Sequence, residues 1–135
     1  MSNRITPDLV TDLQSYEIFV FGSNLSGRHG AGAARTAMKW GAKYGQAAGL
    51  QGKTYAIPTV DETVTRTLTI TEIKPYVNGF IIFAKNNESL TFLVTEIGCG
   101  IAGYDEYDIA PLFADAINVK NISLPKKFWK VLLKK

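Results

Sequence analysis

Tyr16-Glu17-Ile18-Phe19-Val20-Phe21-Gly22-Ser23-Asn24-Leu25-Ser26-Gly27-Arg28-His29-Gly30-Ala31-Gly32-Ala33-Ala34 reads as a hydrophobic strand, a glycine-rich loop and the opening of a helix. The same order returns later in the chain. Thr91-Phe92-Leu93-Val94-Thr95-Glu96-Ile97 runs into Gly98-Cys99-Gly100-Ile101-Ala102-Gly103-Tyr104. Glycine at a strand-to-helix handover lets backbone N–H groups face an anion, and it removes the Cβ atoms that would block close approach. One such loop is a common accident. Two in 135 residues suggest jaws that close on a phosphate-bearing ligand.

Almost every residue from Tyr16 to Phe21 is apolar, as expected of a strand covered on both faces by helices. Around it the pattern alternates strand and helix. Thr6-Pro7-Asp8 predicts a short helix, with Thr6 as cap and Pro7 at the first helical position. A helix is expected from Gly30 to Tyr44, then a strand Lys53 to Ile57 stopped by Pro58. Residues 59–69 fit an excursion loop or a short edge strand equally. Thr69 or Thr71 caps the next helix, where Ile73, Val77, Phe80, Ile81 and Ala84 share one face and Pro75 falls in or near the first turn. After the strand Thr91 to Ile97, a helix is expected over Asp105 to Asp115, with Ile109, Leu112, Phe113 and Ala116 inward. A last strand, Asn118 to Leu124, ends at Pro125. This order predicts a three-layer α/β/α fold with a mixed sheet, in a single domain spanning 1–135 with its core over 16–124.

The composition, 46% hydrophobic and 20% charged, is that of a globular chain with material for a core. One cysteine, Cys99, excludes an internal disulfide and a cysteine-based zinc site, and one histidine argues against a histidine-based metal site. No apolar run is long enough for a membrane span. The start, Met1-Ser2-Asn3-Arg4, is too polar for a signal peptide, so a cytoplasmic location is expected. The last ten residues, Lys126 to Lys135, hold five lysines and no acid, more positive charge than the chain's net +3, so the body carries −2. That speaks against a nucleic-acid-binding domain, which would carry its positive charge on the fold. The tail interleaves Phe128, Trp129, Val131, Leu132 and Leu133. It fits a terminal element packed on the sheet, or a surface for an acidic partner, nucleic acid or a membrane.

The loops fit no P-loop, because no Gly-Lys-Ser/Thr follows the glycines. They fit a dinucleotide fingerprint poorly: Gly30-Ala31-Gly32-Ala33-Ala34-Arg35 lacks the third glycine, and Lys53 and Tyr55 stand where the acidic ribose hook would be. In open α/β sheets ligands bind at the carboxyl ends of strands, so neighbouring strands would set the two loops across one cleft.

Phe19-Val20-Phe21-Gly22-Ser23-Asn24-Leu25, Gly27 and Gly30-Ala31-Gly32-Ala33-Ala34 together resemble the first loop of macro domains. Ile97-Gly98-Cys99-Gly100-Ile101-Ala102-Gly103-Tyr104 resembles their second, diphosphate-binding loop, and Tyr55-Ala56-Ile57-Pro58-Thr59 their intervening strand. The likeness, strongest to small macro-like proteins of bacteria and phages, covers 16–124. It implies a pocket for ADP-ribose or a related NAD-derived nucleotide, free or attached to a protein, with no cofactor required. Asn24 matches the residue beside the distal ribose. Gly30, Ala31 and Gly32 match the stretch that wraps ribose and phosphate, with Gly22, Ser23 and Ala33 bordering it. Gly98 to Tyr104 match the diphosphate loop. The chain departs from the pattern where Phe21 replaces an Asn, Gly32 falls near an acid of hydrolytic members, and Ala102 replaces an aromatic residue. Asp12 is only an approximate stand-in for the adenine-reading Asp. The resemblance therefore carries nucleotide binding further than ADP-ribosyl hydrolysis.

Other candidates complete the site. Arg28 and His29 can meet phosphate, and His29 is a candidate acid or base. Glu96, late in its strand, would lie on a solvated sheet end or point into the cleft, where it would join Asn24 in placing a water for hydrolysis. Cys99 reads as a small pocket-lining residue rather than a nucleophile, which would need a base partner. Trp40 and Tyr44 are spaced for helix packing, which leaves Tyr104 as the better base-stacking candidate.

Overall fold

The computed structural model describes residues 4–134. The Met1-Ser2-Asn3 start on which the signal-peptide reading rests, and Lys135, lie outside the described residues. The apolar run forms β2 (Glu17–Asn24), the middle of a six-stranded sheet whose other strands are β1 (Ile5–Thr6), β3 (Gly49–Gln51), β4 (Thr54–Val60), β5 (Thr91–Val94) and β6 (Ile122–Pro125). The order is β1-β6-β5-β2-β4-β3. All pairings are parallel except β3 with β4. The sheet is therefore mixed, as expected.

Alternation along β2 explains its unbroken hydrophobicity. Ile18 and Val20 enter the larger core, under α2 (Ile70–Lys85), α3 (Glu106–Ile109), a 3-10 stretch (Ala110–Asn118) and α4 (Lys126–Leu132). Phe19 and Phe21 enter a smaller core with Ala34 and Ala37 of α1 (Gly32–Met38), Ala42 and Ala56. Helices on both faces make three layers, and β2 has no wet side.

The face expected for α2 is the face observed: Ile73, Val77, Phe80, Ile81 and Ala84 are buried. Thr69 caps this helix in a reciprocal capping box with Glu72. Pro75 stands inside the helix as its sixth residue, past the first turn. The tail packs as a terminal element. Phe128 and Trp129 are buried, Trp129 Nε1 donates to Arg4 O at 2.7 Å, and Lys126 and Lys130 stay exposed.

Several boundaries differ from expectation. Ile5–Thr6 is a strand, not a helix start, because it pairs in parallel with β6. The Arg4 guanidinium fixes that pairing by donating to the carbonyls of Ala116, Ile117, Val119 and Ile122. The helix after the first loop stops at Met38 rather than Tyr44, where Gly41 turns the chain at φ +106. Pro58 does not end its strand. Beyond Ala56, β4 has lost its β3 partner, so a residue without an N–H is tolerated. The strand after α2 ends at Val94, not Ile97, and the final strand starts at Ile122 rather than Asn118. The helix expected over 105–115 gives way after Ile109 to the 3-10 stretch, which has Pro111 at its start and a kink at Phe113; Ile109, Phe113 and Ala116 are still inward.

Candidate functional site

β2 and β5 are hydrogen-bonded neighbours, in register from Glu17 opposite Thr91 to Val20 opposite Val94. The two glycine loops therefore leave the same edge of the sheet side by side. A Cβ on Gly22 would lie 3.7 Å from Gly98 N, which measures how closely the strand ends approach. Between the loops lies a cleft of about 570 Å³, within the range of small-molecule sites. Gly22, Ser23, Asn24, Arg28, Gly30, Ala31, Gly32 and Ala33 line it from the first loop, and Glu96, Gly98, Cys99, Gly100, Ile101 and Ala102 from the second.

The glycines divide into two kinds. Gly27 has φ +71, and a Cβ there would come within 2.4 Å of Gly45 C. Gly98 has φ +78, and a Cβ there would come within 2.8 Å of Ile109 Cδ1. Both are demanded by the fold. At Gly30 and Gly100 the backbone avoids the left-handed region and a Cβ would meet nothing within 4 Å. Those two are exposed and line the cleft. Beside them, Ala31 before α1 offers no side-chain cap, and no acid stands in that helix's first turn.

The Asn24 amide is engaged in shaping its loop. Its Oδ1 accepts from Ser26 Oγ at 2.7 Å and from Arg28 N at 2.9 Å, and its Nδ2 donates to Arg28 O at 2.8 Å. Asn24 holds the first loop open against the cleft and keeps one N–H in reserve. Arg28 is exposed and lines the cleft; among the described residues no acid pairs with it. Glu96 is exposed at the cleft edge, where its carboxylate meets Lys127 Nζ of α4 at 3.3 Å. That contact raises the Lys127 ammonium above its ordinary value. Burial pushes the Cys99 thiol up to about 11, against the weaker opposing pull of Lys127. The thiol is therefore protonated at neutral pH and is no nucleophile.

Three expected residues lie elsewhere. Tyr104 packs against the larger core, and its hydroxyl donates to Leu68 O at 2.6 Å, so its ring is not offered to a base. Gly103, at φ +84, turns the chain out of the loop and does not line the cleft. His29 is buried under the first loop, edge-on to Phe21 at 5.2 Å, and neither ring nitrogen has a hydrogen-bond partner among the described residues. Tyr44, not Tyr104, is the aromatic residue on the cleft wall, 66% exposed. Ala34, Thr59, Val60, Val64, Thr95 and Ile97 also line the cleft without having been singled out. Thr59 and Val60 end β4, the other parallel neighbour of β2, so the strand-end rule reaches them once that pairing is known. Nothing in the sequence marks Val64.

No group of three or more His, Cys, Asp or Glu among the described residues is placed to hold a metal ion. No helix among the described residues is long and apolar enough to cross a membrane. The molecule thus belongs to the three-layer α/β proteins that carry a cleft at the carboxyl ends of parallel strands.

No family model matches the chain, and no curated protein does. A solved structure of a protein of unknown function from Bacteroides thetaiotaomicron matches it over 90% of this chain and 93% of that one, with a TM-score of 0.64 at 14% identity. At that identity the likeness carries the fold alone.

Proposed function

We propose that this chain is a macro-type domain that binds ADP-ribose or a related NAD-derived nucleotide between its two glycine loops. One observation carries the reading: both loops flank one cleft at the ends of two hydrogen-bonded parallel strands, with the unobstructed Gly30 and Gly100 among its lining. Backbone donors and Arg28 suit a diphosphate. The apolar wall of Tyr44, Val60, Val64 and Ile101 suits the uncharged faces of ribose and base. A cytoplasmic nucleotide pool, or ADP-ribose carried on a protein, is the source this reading calls for.

Binding without turnover is the form the side chains support. The amide of Asn24 is engaged in its loop, Glu96 is paired with Lys127 at the edge, and Cys99 is protonated. Hydrolysis would need a water activated by one of these groups. Calorimetric titration with ADP-ribose, NAD and AMP tests the reading, alongside release of free ADP-ribose from a modified protein. Saturable ADP-ribose binding with no release is expected. Absence of binding to all three nucleotides would refute it, and release at catalytic enzyme levels would replace the sensor with a hydrolase.

A further inference from the structure

Beyond Val60 the chain leaves the sheet and doubles back. Asp61 N donates to Arg66 O at 2.8 Å, and Leu68 N donates to Thr59 O at 2.9 Å. Asp61 fixes the reversal. Its Oδ1 accepts from the N–H groups of Thr65 and Arg66 at 3.0 and 3.2 Å, and the Thr63 hydroxyl donates to its carboxylate at 3.1 Å. Its carbonyl accepts from Val64 N at 3.1 Å. The turn is also tied to the second glycine loop, where Thr67 Oγ1 donates to Ala102 O at 2.8 Å.

Val64, inside this cage, has φ +59, the only positive φ at a non-glycine residue among the described residues. Tight hairpins ordinarily place glycine or asparagine in that left-handed position, and a β-branched residue there is strained. No core burial offsets the strain, since Val64 is 39% exposed and lies outside both core clusters. Val64 lines the cleft, as do Tyr44 and Ile101, which are 66% and 74% exposed. Residues held in such conformations cluster at ligand clamps, where the surrounding structure over-determines them.

We propose that the Asp61-caged turn is a third wall of the cleft and that Val64 is a ligand-contact residue. It presses its isopropyl group on the uncharged ribose or base face of a nucleotide whose phosphates follow the glycine loops. The inference rests on the nucleotide reading and adds the residue that selects for more than an anion.

Thermal melts and ADP-ribose titrations of the wild type, Val64→Gly and Val64→Ala test it. Val64→Gly releases the strained backbone, so its midpoint rises by about 3 °C, whereas Val64→Ala keeps a Cβ and gains nothing. Both variants lose two contact methyls and bind ADP-ribose about tenfold more weakly. A more stable Val64→Gly with weakened binding is the result a merely structural residue would not give. Undiminished, wild-type affinity in both variants overturns the Val64 assignment alone. A lowered midpoint in Val64→Gly overturns it too, by showing a structural residue. A wild type that binds none of ADP-ribose, NAD and AMP removes the nucleotide reading and this assignment together.

Discussion

Gly100→Glu separates a cleft built for an anion from a pair of turns that happen to contain glycine. A Cβ at position 100 meets nothing within 4 Å and the backbone is not left-handed, so the substitution leaves the fold intact. Its effect on stability falls within about 0.5 kcal/mol, as for other exposed sites free of special features. The carboxylate instead reaches toward the anion path. At roughly 5 Å and an effective dielectric between 20 and 40, each like charge of a diphosphate costs about 2–3 kcal/mol. That corresponds to a loss of roughly 30- to 150-fold in affinity per charge. Gly30→Asp, equally unobstructed, gives the same loss from the opposite jaw. Gly98→Ala behaves oppositely. Its φ of +78 and a Cβ within 2.8 Å of Ile109 Cδ1 destabilise the fold, by about 1–3 kcal/mol. Melts and calorimetry on the three variants show both axes. Undiminished ADP-ribose binding in both acidic variants, with the wild type binding, would refute the reasoning.

His29 is buried with two unpartnered ring nitrogens, each costing about 1–3 kcal/mol; His29→Phe keeps the edge contact with Phe21 and is expected to raise the melting midpoint, and a fall would show that the imidazole is satisfied in solution. The side-chain hydrogen bond from Arg66, with the Thr69 amide, holds the Glu72 carboxyl down to about 2 from 4.5. This stabilisation is present above pH 4.5 and is lost as pH falls through about 2, so the midpoint gap between wild type and Glu72→Gln should close on that descent. A gap that persists below pH 2 would show that it does not come from the ionised carboxylate, since glutamine preserves the capping box. Phe128→Ala empties a fully buried site in the larger core and should cost about 3–5 kcal/mol in denaturant melts; a neutral result would restore the view of the tail as an appended basic segment.

The parts of the fold legible in sequence were those with strong periodicity. The continuous apolar run of β2 betrayed a strand covered on both faces, and the 3.6-residue spacing of α2 named its buried residues. The two loops were legible because glycine after an apolar strand has few structural alternatives. β1 and β3, two and three residues long, were not legible. Such short edge strands carry no period, and their existence depends on partners far along the chain, as the reach of Arg4 to Ile122 shows. In the site, backbone-lined positions were readable, whereas the direction of each aromatic ring was not. Tyr104 and Tyr44 exchanged roles because a hydroxyl–carbonyl bond to Leu68 and the early end of α1 at Met38 are tertiary facts. Val64 left no trace, since a strained φ is written in the hydrogen bonds around Asp61 rather than in the residue itself.

Amide chemical-shift mapping of the isotopically labelled chain during titration with ADP-ribose addresses the cleft most directly. Saturable shifts confined to the amides of Gly22–Asn24, Arg28–Ala33 and Gly98–Ala102, with Val64 among the affected residues, are the predicted result. Shifts that are absent at saturating nucleotide, or that gather on Lys126–Leu132, would contradict it.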